Sequence, residues 1–522
     1  MQLCQTLPDV VFQHARYNGD AVSFIYEAQA LTCSELNLYS NRVANGLLGN
    51  DCHAQARIAI LAKDSEYTYE IFFGSTKAKT VAIPINWRLA TQELLFILND
   101  SESVVLFVGE EFIPVIEQIS GELERLRKII IISGSHATWE TYTSWRDRQL
   151  GTAPELEYGS NDVVVQMYTS GTTGHPKGVQ LAHYSFFRLL QGMSAQGDQW
   201  MSLNAADNFL LPLPSFHIGG LWWAIQGFIA GGRCIIMDTF VAWKALSLIQ
   251  EHRISKMVLV PAMMQLMLSE PSFAAADFSS LQGCVYGGSP IAPELMHKVM
   301  RAFGCSFYQI YGLTETGNMA VCLRPEDHTQ EDSHILKAAG RPFPGVHVKI
   351  IDTKGNVLPA NTIGEICINS PSNMTGYWKR EQATRETLVD GYIHTGDAGY
   401  LDEAGYVYVC DRIKDMIICA GENIYPAEIE AALYEHEAIA EAAVIGVPDD
   451  QWGEVVKAFV VLHQNSAVKQ RELINFLRTR IADYKLPRSI AVVDSLPKTP
   501  SGKLLKRILR APFWEGRERR VN

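Results

Sequence analysis

The sequence predicts an α/β protein built on parallel sheets, followed by a small antiparallel barrel and an α+β domain at the C-terminal end. Through most of the chain, short apolar runs alternate with segments of helical period. From about Gly340 the pattern changes to short strands with glycine and proline turns, and after Asp411 it changes again to mixed helices and strands. Apolar strands that alternate with helices are typical of parallel sheets covered by helices on both faces.

The first half of the chain supplies most of this alternation. Its strand candidates are short and rich in Val and Ile, whereas the segments between them repeat apolar residues at helical spacing. We expect strands over residues 56–62, 81–85, 104–108, 129–133 and 257–260, and helices over 66–77 and 91–99.

The barrel and the tail follow. Short strands of the barrel are predicted over residues 346–352, 364–368 and 405–409. In the tail we expect helices over 427–436 and 470–481, and strands over 441–447 and 457–463. The tail has about 110 residues, which is enough for a domain of its own. The sequence therefore predicts a large domain over 1–411 and a small one over 412–522, with a hinge near 411–415.

Length, charge and cysteine usage exclude several classes of protein. The 522 residues exceed what one hydrophobic core usually supports. A formal net charge of −12 argues against nucleic acid as a partner. The ten cysteines include no C-x-x-C pair, which indicates reduced thiols in a cytoplasmic protein. We expect no signal peptide and no transmembrane segment, because the most apolar run, residues 221–232, is too short to span a bilayer.

The most informative stretch is YTSGTTGHPKGV, residues 168–179, which follows an apolar strand and is expected to precede a helix beginning near Ala182. Its glycines let the backbone approach a polyphosphate, its hydroxyl groups donate hydrogen bonds, and Lys177 adds a positive charge. It is not a Walker A loop, because Pro176 precedes the lysine and Gly178 follows it. The stretch predicts a phosphate-binding loop of another kind.

This stretch resembles the signature loop of the acyl-adenylate-forming superfamily, which includes acyl-CoA synthetases, peptide-synthetase adenylation domains and beetle luciferases. Further motifs follow in the order that the family shows, namely YGLTETG (311–317), Tyr392 with HTGD (394–397), DRIKD (411–415), GENIYP (421–426) and PKTPSGK (497–503). The resemblance implies a large domain of two parallel α/β subdomains plus a small β-barrel, and a smaller mobile C-terminal domain.

The resemblance also implies a reaction with ATP, Mg²⁺ and coenzyme A, in which a carboxylic acid becomes an acyl-adenylate and then a thioester. In the family's loop, the positions of Thr169, Ser170, Gly171, Thr172, Thr173, Gly174 and Lys177 hold phosphates. The adenine is expected against Tyr311 and the turn Gly287–Gly288–Ser289. Thr314 corresponds to a contact with the α-phosphate, Glu315 to a ligand of Mg²⁺, and Asp397 and Arg412 to contacts with the ribose.

Three residues of the C-terminal part are implied by the same resemblance. Lys503 corresponds to the lysine that bridges the substrate carboxylate and the α-phosphate during adenylation, whereas Lys506 and Arg507 are expected to be solvated. Lys414 matches the hinge about which the family's C-terminal domain rotates before thioester formation. Gly421 lies where the family's pantetheine arm passes, and a glycine leaves such a tunnel open.

The segment LPLPSFHIGGL, residues 211–221, corresponds to the acyl pocket of the family. Peptide-synthetase domains place an aspartate here, whereas this chain has Phe216 and His217, so an amino acid substrate is not expected. His217 is implied either as a gate to the pocket or as a contact of the substrate carboxylate. The other expected wall residues are apolar or small, which favours a medium- or long-chain fatty acid and most resembles bacterial fatty-acyl-CoA synthetases. They are Gly219, Gly220, Met263, Met264, Gly317 and Met319, with Trp222 and Trp223 either closing the pocket or packing inside it.

Several alternatives stay open. The acyl acceptor is either coenzyme A or a separate carrier protein, and an aromatic acid is an alternative to a fatty acid. A luciferase-like oxygenase has the same adenylation motifs. A non-catalytic binding protein is disfavoured, because Glu315, Asp397 and Lys503 are retained. The basic, aromatic residues 513–520 leave peripheral membrane contact open, and the sequence predicts no oligomeric state.

Overall fold

The computed structural model describes residues 4–50, 52–169, 176–289, 291–328, 334–419, 422–449, 452–464, 466–498 and 504–515. The chain divides into two compact units. The first comprises Met1–His347 with Ile368–Ile393, and the second comprises Val348–Cys367 with His394–Asn522.

Helices and short strands alternate along the described chain. The helices are α1 (Leu7–Tyr17), α2 (Cys33–Leu48), α3 (Glu66–Lys77), α4 (Thr91–Asp100), α5 (Ile113–Ile119), α6 (Tyr142–Asp147), α7 (Arg188–Ala195), α8 (Ile218–Ile229), α9 (Ala242–Glu251), α10 (Pro261–Leu268), α11 (Pro293–Phe303), α12 (Pro325–His328), α13 (Glu381–Thr387), α14 (Pro426–Tyr434), α15 (Gln470–Arg478) and α16 (Lys506–Trp514).

The strands of the first half are β1 (Val22–Tyr26), β2 (Gln29–Thr32), β3 (Arg57–Leu61), β4 (Val81–Pro84), β5 (Val105–Val108), β6 (Lys128–Ile131), β7 (Glu140–Thr141), β8 (Val163–Thr169), β9 (Lys177–Ala182), β10 (Asn208–Leu211), β11 (Arg233–Ile236) and β12 (Lys256–Leu259). Those of the second half are β13 (Gly283–Gly287), β14 (Ser306–Tyr311), β15 (Val321–Leu323), β16 (Arg341–Pro342), β17 (His347–Ile351), β18 (Gly364–Asn369), β19 (Gly376–Tyr377), β20 (Leu388–Val389), β21 (Tyr392–Leu401), β22 (Val407–Arg412), β23 (Ile417–Cys419), β24 (Glu422–Ile424), β25 (Ile439–Asp449), β26 (Gly453–Leu462) and β27 (Ser489–Val492).

The first unit contains two large sheets, each with a parallel centre. One has the order β16-β15-β14-β13-β12-β10-β11-β1-β2, and its strands from β14 to β1 are parallel. The other has the order β19-β9-β8-β4-β3-β5-β6-β7, with β9 and β19 antiparallel at one edge. A separate apolar core supports each sheet, and each fully buried Leu, Ile or Val in these cores contributes about 1.5–3 kcal/mol.

The second unit combines a small sheet with an α+β layer. In the small sheet β17 neighbours β18, β18 neighbours β21, and β21 pairs antiparallel with β22. The other sheet has the order β24-β23-β26-β25, and β27 pairs with β26. The helices α14 and α15 pack apolar side chains against this second sheet, including Ile429, Leu433, Leu473 and Leu477.

The predicted fold class is confirmed, because two parallel α/β sheets precede a region of smaller sheets and an α+β tail. All five strands and both helices expected in the first half are present within a few residues of their predicted bounds. The helix expected near Ala182 is present as a short 3₁₀-helix, His183–Phe186, which has Ala182 as its N-cap and precedes α7. The strand β9 before it, Lys177–Ala182, was not predicted. The domain boundary at 411–415 stays a prediction. No helix among the described residues is long and apolar enough to cross a membrane.

Candidate active site

The phosphate-loop motif begins and ends on two paired strands. Thr169 ends β8 and Lys177 begins β9, and the two residues face each other across the antiparallel pair. The paired strands β8 and β9, here called the phosphate hairpin, thus carry the described ends of the motif. Ser170, Gly171, Thr172, Thr173 and Gly174 lie outside the described residues, so the structure positions the base of the motif and not its tip.

Tyr377 links this base to the second motif. Its ring centroid lies 4.9 Å from the Lys177 Nζ, which is a cation–π contact. Its hydroxyl donates a hydrogen bond of 2.8 Å to Oε1 of Glu315. The cation expected at the phosphates and the carboxylate expected at Mg²⁺ therefore contact the same tyrosine. The sequence analysis did not identify Tyr377.

The YGLTETG motif turns sharply after a buried strand. Tyr311 ends β14, and Thr314, Glu315 and Thr316 form one turn of 3₁₀-helix. Gly317 ends this turn with φ +74°, and a Cβ there would lie only 2.5 Å from the Ser372 carbonyl oxygen, so a residue with a side chain is excluded on both counts. Thr314 and Glu315 are partly exposed at the turn, where they can meet a ligand.

The predicted adenine turn lies at the end of the adjacent strand. Gly287 ends β13 and faces Ile310 on β14. A Cβ on Gly287 would lie 2.4 Å from the Ile310 carbonyl oxygen, and Gly288 has φ +78°. The structure therefore brings Gly287, Gly288 and Ser289 to the same edge as Tyr311, because β13 and β14 are parallel neighbours.

The second unit joins the residues expected at the ribose. Asp397 on β21 faces Arg412 on β22, and the Arg412 Nε lies 2.8 Å from Asp397 Oδ1. The Asp397 carboxylate is nearly fully buried, whereas the Arg412 side chain is about one third exposed. Arg412 also donates to the Thr395 carbonyl oxygen. The pair fixes the direction of a carboxylate that can accept hydrogen bonds.

Glu365 orients the HTGD motif, a role that the sequence analysis missed. Its Oε1 accepts a hydrogen bond from the Gly396 backbone N–H, and its Oε2 lies 3.1 Å from His394 Nδ1. Both oxygens of the carboxylate thus contact the segment that carries Asp397. Glu365 is the second residue of β18, the strand next to β21, and its charge within the predicted GEICI strand was the sequence signal that could have identified it.

Lys414, the predicted hinge residue, lies in the short 3₁₀-helix Ile413–Asp415 that follows β22. Burial lowers the pKa of its ammonium group, while Asp415 opposes that shift. The other two predicted residues of the C-terminal part, Gly421 and Lys503, lie outside the described residues. Their roles stay predictions.

The segment before α8 is held by a buried carboxylate. Asp64 accepts hydrogen bonds from the Ser215 backbone N–H (2.7 Å) and from the Ser215 hydroxyl (2.5 Å). The next two residues are Phe216, which contacts Trp87 edge to face, and His217, the N-cap of α8. Asp64 was not identified from the sequence, yet it fixes Ser215 in the middle of the expected acyl-pocket segment.

The expected wall residues divide between surface and core. Gly219 and Met263 are partly exposed, whereas Gly220, Met264 and Met319 are buried. Trp222 and Trp223 are also buried: Trp222 packs on Trp200, and Trp223 packs on Phe209 and donates its indole N–H to the Leu210 carbonyl oxygen. Both tryptophans therefore serve the core of the first unit.

Replacement of Asp64 by asparagine is expected to stabilise the protein at neutral pH. Burial raises the pKa of Asp64 to about 6 despite the Ser215 hydrogen bonds, so the folded state holds the proton more tightly than the unfolded chain. Wild-type stability therefore falls as the pH rises from about 4 to 6, whereas Asp64→Asn lacks this loss. Chemical denaturation of both proteins at pH 4.5 and 7.5 measures the difference. If the two proteins differ in free energy of unfolding by the same amount at both pH values, the raised pKa of Asp64 is contradicted.

These residues can serve a nucleotide and a metal ion. Glu315 offers a carboxylate, the ligand that Mg²⁺ prefers, and only one of its oxygens is engaged by Tyr377. Lys177 offers a cation to phosphate, and the Asp397 carboxylate can accept hydrogen bonds from ribose hydroxyl groups. The donor chemistry of Lys177 and Glu315 in the first unit therefore fits phosphates with Mg²⁺, and that of Asp397 in the second unit, taken by itself, fits a ribose.

Comparisons with known proteins agree on one family. The AMP-binding enzyme family matches residues 11–378, and the AMP-binding enzyme C-terminal domain matches residues 428–503. The chain is 45% identical over 519 residues to the fatty acid–[acyl-carrier-protein] ligase ScoC of Streptomyces coeruleorubidus, covering 99% of this chain and 98% of that protein. It is 36% identical over 486 residues to the long-chain-fatty-acid–CoA ligase FadD13 of Mycobacterium tuberculosis, covering 92% and 93%.

Solved structures give the same result. The anthranilate CoA ligase AuaEII in complex with anthranoyl-AMP superimposes with a TM-score of 0.87 at 27% identity, covering 98% of each chain. A Mycobacterium tuberculosis fatty acyl CoA synthetase superimposes with a TM-score of 0.77 at 32% identity, covering 98% of this chain and 99% of that one. This chain belongs to the AMP-binding enzymes and is an adenylate-forming ligase that activates a carboxylic acid with ATP.

Proposed function

We propose that this ligase activates a fatty acid and transfers the acyl group to the thiol of a phosphopantetheine arm. In the first step a carboxylate oxygen attacks the α-phosphorus of ATP, and the bond to pyrophosphate breaks. In the second step the thiol sulfur attacks the acyl carbonyl, AMP leaves, and the thiol proton passes to solvent. The observation that carries the proposal is the 45% identity to a fatty acid–[acyl-carrier-protein] ligase over 99% of this chain.

The residues divide the first step among them. The loop Thr169–Lys177 holds the β- and γ-phosphates, and Thr314 donates to the α-phosphate. Two carboxylates have separate tasks: Glu315 holds Mg²⁺, which spreads the charge of the phosphate oxygens, and Asp397 holds the ribose. Lys503 bridges the two reacting groups, which otherwise repel each other as anions. The contacts of Glu315 and Asp397 support this division, because each carboxylate is already oriented by a hydrogen-bond donor.

We favour a separate carrier protein as the partner that supplies the thiol. Coenzyme A and carrier proteins present the same phosphopantetheine thiol, so the transfer chemistry does not distinguish them. The sequence analysis favoured coenzyme A, but the 45% identical relative is named for a carrier-protein acceptor and the 36% identical relative for coenzyme A. Coenzyme A is therefore the second candidate, and Lys414 and Gly421 keep their expected roles in either transfer.

A fatty acid suits the expected pocket. Phe216 and His217 stand where an aspartate would pair with an amino group, and Met263 supplies a flexible apolar side chain to the expected wall. In the proposal, His217 gates the entrance to the acyl pocket. An aromatic acid remains the alternative, since a feruloyl-CoA synthase of Streptomyces is 35% identical over 503 residues.

Pyrophosphate release with a panel of acids tests the first step. The panel runs from acetate to palmitate and includes benzoates, with ATP and Mg²⁺ present. We expect the largest kcat/KM for one range of medium- or long-chain fatty acids, at least tenfold above acetate, because each buried methylene adds about 0.8 kcal/mol. A maximum with benzoates contradicts the fatty-acid assignment.

The acceptor is tested in the same assay with the preferred acid. Holo carrier protein from the producing organism and coenzyme A are supplied in parallel, and the thioesters are detected by mass spectrometry. Apo carrier protein, which lacks the thiol, is the matched control. Acylation of the holo carrier with little acyl-CoA supports the carrier protein as the acceptor. Rapid acyl-CoA formation without carrier acylation overturns it in favour of coenzyme A.

A further inference from the structure

We propose that Tyr377 is a positioning residue for adenylation: its hydroxyl turns Glu315 towards the magnesium ion, and its ring holds Lys177 at the phosphates. This inference rests on the roles proposed above for Glu315 and Lys177. It adds a residue that lies outside all of the motifs that identified the family.

The segment of residues 374–378, here called the strap, joins the two motifs through its backbone. Strand β19 within it pairs antiparallel with β9, the strand that begins at Lys177. The Trp378 N–H donates to the Gly178 carbonyl oxygen at 2.8 Å, and the Met374 N–H donates to the Glu315 carbonyl oxygen at 2.8 Å. The strap therefore holds the base of the phosphate hairpin and the backbone of Glu315 at once.

Asp100 anchors the far end of the strap. Its carbonyl oxygen accepts a hydrogen bond from the Trp378 indole N–H at 3.0 Å. Its carboxylate accepts from Arg380 through Oδ1 and from the Tyr168 hydroxyl through Oδ2 at 2.8 Å. Tyr168 immediately precedes Thr169, so both strands of the phosphate hairpin are tied to the strap.

The Tyr377 hydroxyl is a permanent donor in this setting. A phenol has an ordinary pKa of about 10, so the Tyr377 hydroxyl carries its proton near neutral pH. A protonated phenol donates to Oε1 of Glu315 and leaves Oε2 to face a cation. Outer contacts of this kind orient a metal ligand, and their loss typically weakens metal binding by 10- to 100-fold.

The same side chain serves Lys177 through its ring. A cation within about 6 Å of an aromatic face is attracted by the ring, and the Lys177 Nζ lies at 4.9 Å. A flexible lysine loses side-chain entropy when it is fixed, and the ring lowers that loss by restricting the lysine before ATP binds. Tyr377 thereby pre-organises both a cation for phosphate and an anion for magnesium.

The test separates the hydroxyl from the ring. Mn²⁺, a paramagnetic substitute for Mg²⁺, is titrated into the full-length protein with a non-hydrolysable ATP analogue and followed by electron paramagnetic resonance. We expect Tyr377→Phe to weaken Mn²⁺ binding about tenfold and to raise the Mg²⁺ concentration for half-maximal adenylation by a similar factor. The KM for the acid should not change. Tyr377→Leu, which also removes the ring, should in addition raise the KM for ATP.

Tyr142→Phe is the matched control. The Tyr142 hydroxyl donates to Glu70 Oε2 at 2.7 Å within the core of the same unit, so the variant loses the same kind of bond away from the motifs. It should lower the melting temperature and leave Mn²⁺ affinity unchanged. If Tyr377→Phe behaves like Tyr142→Phe, the hydroxyl is merely structural and the proposal is wrong.

Glu315→Gln gives a second test of the same hydrogen bond. The two residues act as a unit in the proposal, so the double variant should bind Mn²⁺ no more weakly than Glu315→Gln alone. If the losses of Mn²⁺ affinity in the two single variants add up in the double variant, the proposal is wrong. Mn²⁺ binding needs neither the acid nor the thiol acceptor, so an error in the proposed function leaves this measurement intact.

Discussion

Lys503→Ala is expected to lower the rate of acyl-adenylate formation by about 100- to 1000-fold, the loss typical when one charged donor to a transition state is removed. The ammonium group is expected to follow the negative charge as the carboxylate attacks the α-phosphorus. Pyrophosphate release in a single turnover measures this step. Thioester formation from supplied acyl-AMP measures the second step alone, and we expect it to change less than threefold, because Lys503 has no part in the proposed thiol attack.

Lys498→Ala is the control for this substitution. Lys498 lies in the same PKTPSGK string, but its Nζ pairs with Glu441 Oε1 at 2.6 Å on a partly exposed surface. An exposed pair of this kind contributes little to stability, so both half-reactions should stay within about twofold of wild type. Equal losses in the two variants, or equal losses of Lys503→Ala in both half-reactions, contradict the assigned role of Lys503.

The periodicity of apolar residues predicted the parts of the fold that are locally determined. Helix α3 occupies the predicted residues 66–77, and the strands β3, β4 and β5 agree to within a residue at each end. The three strands are neighbours in one sheet and are buried along their whole length, where most side chains on both faces must be apolar. The local sequence pattern and the burial in the folded protein therefore both require apolar residues at these positions.

Pairing between distant segments explains what the sequence analysis did not predict. No strand was predicted over residues Lys177–Ala182, between the phosphate-loop motif and the helix expected near Ala182. They are a strand because β8 lies on one side and β19, about 200 residues later, on the other. Tyr377 was missed for the same reason, since its contacts with Lys177 and Glu315 depend on that long-range pairing.

Motifs located the candidate site better than composition did. Of the predicted residues that the structure describes, Thr169 and Lys177 face each other, and Asp397 and Arg412 form an ion pair. The motifs do not name the residues that orient these groups. Asp64, Glu365 and Tyr377 are ordinary residue types, and their importance is visible only from the atoms that they contact.

Lys506→Ala is expected to destabilise the second unit by about 3–5 kcal/mol, although the sequence analysis expected Lys506 to be solvated. Its side chain is only 13% exposed at the start of α16, and its Nζ lies 2.9 Å from Glu430 Oε1 and 3.9 Å from Asp411 Oδ2. Burial lowers the pKa of Lys506, but the two carboxylates outweigh that effect and the net pKa is raised. Removal of the lysine leaves two buried carboxylates without this cation.

The neighbouring Arg507 provides the matched control, because it lies in the same helix and its side chain is exposed, as the sequence analysis expected. Arg507→Ala should change the free energy of unfolding by no more than about 0.5 kcal/mol. Chemical denaturation of both variants, followed by the fluorescence of a tryptophan such as Trp514 in α16, measures the comparison. The double variant Lys506→Met with Glu430→Leu should recover much of the loss, since apolar residues can replace a buried ion pair. If Lys506→Ala is as stable as Arg507→Ala, the buried carboxylates do not depend on this cation, and α16 is held by its other contacts, such as the Arg510–Asp415 ion pair.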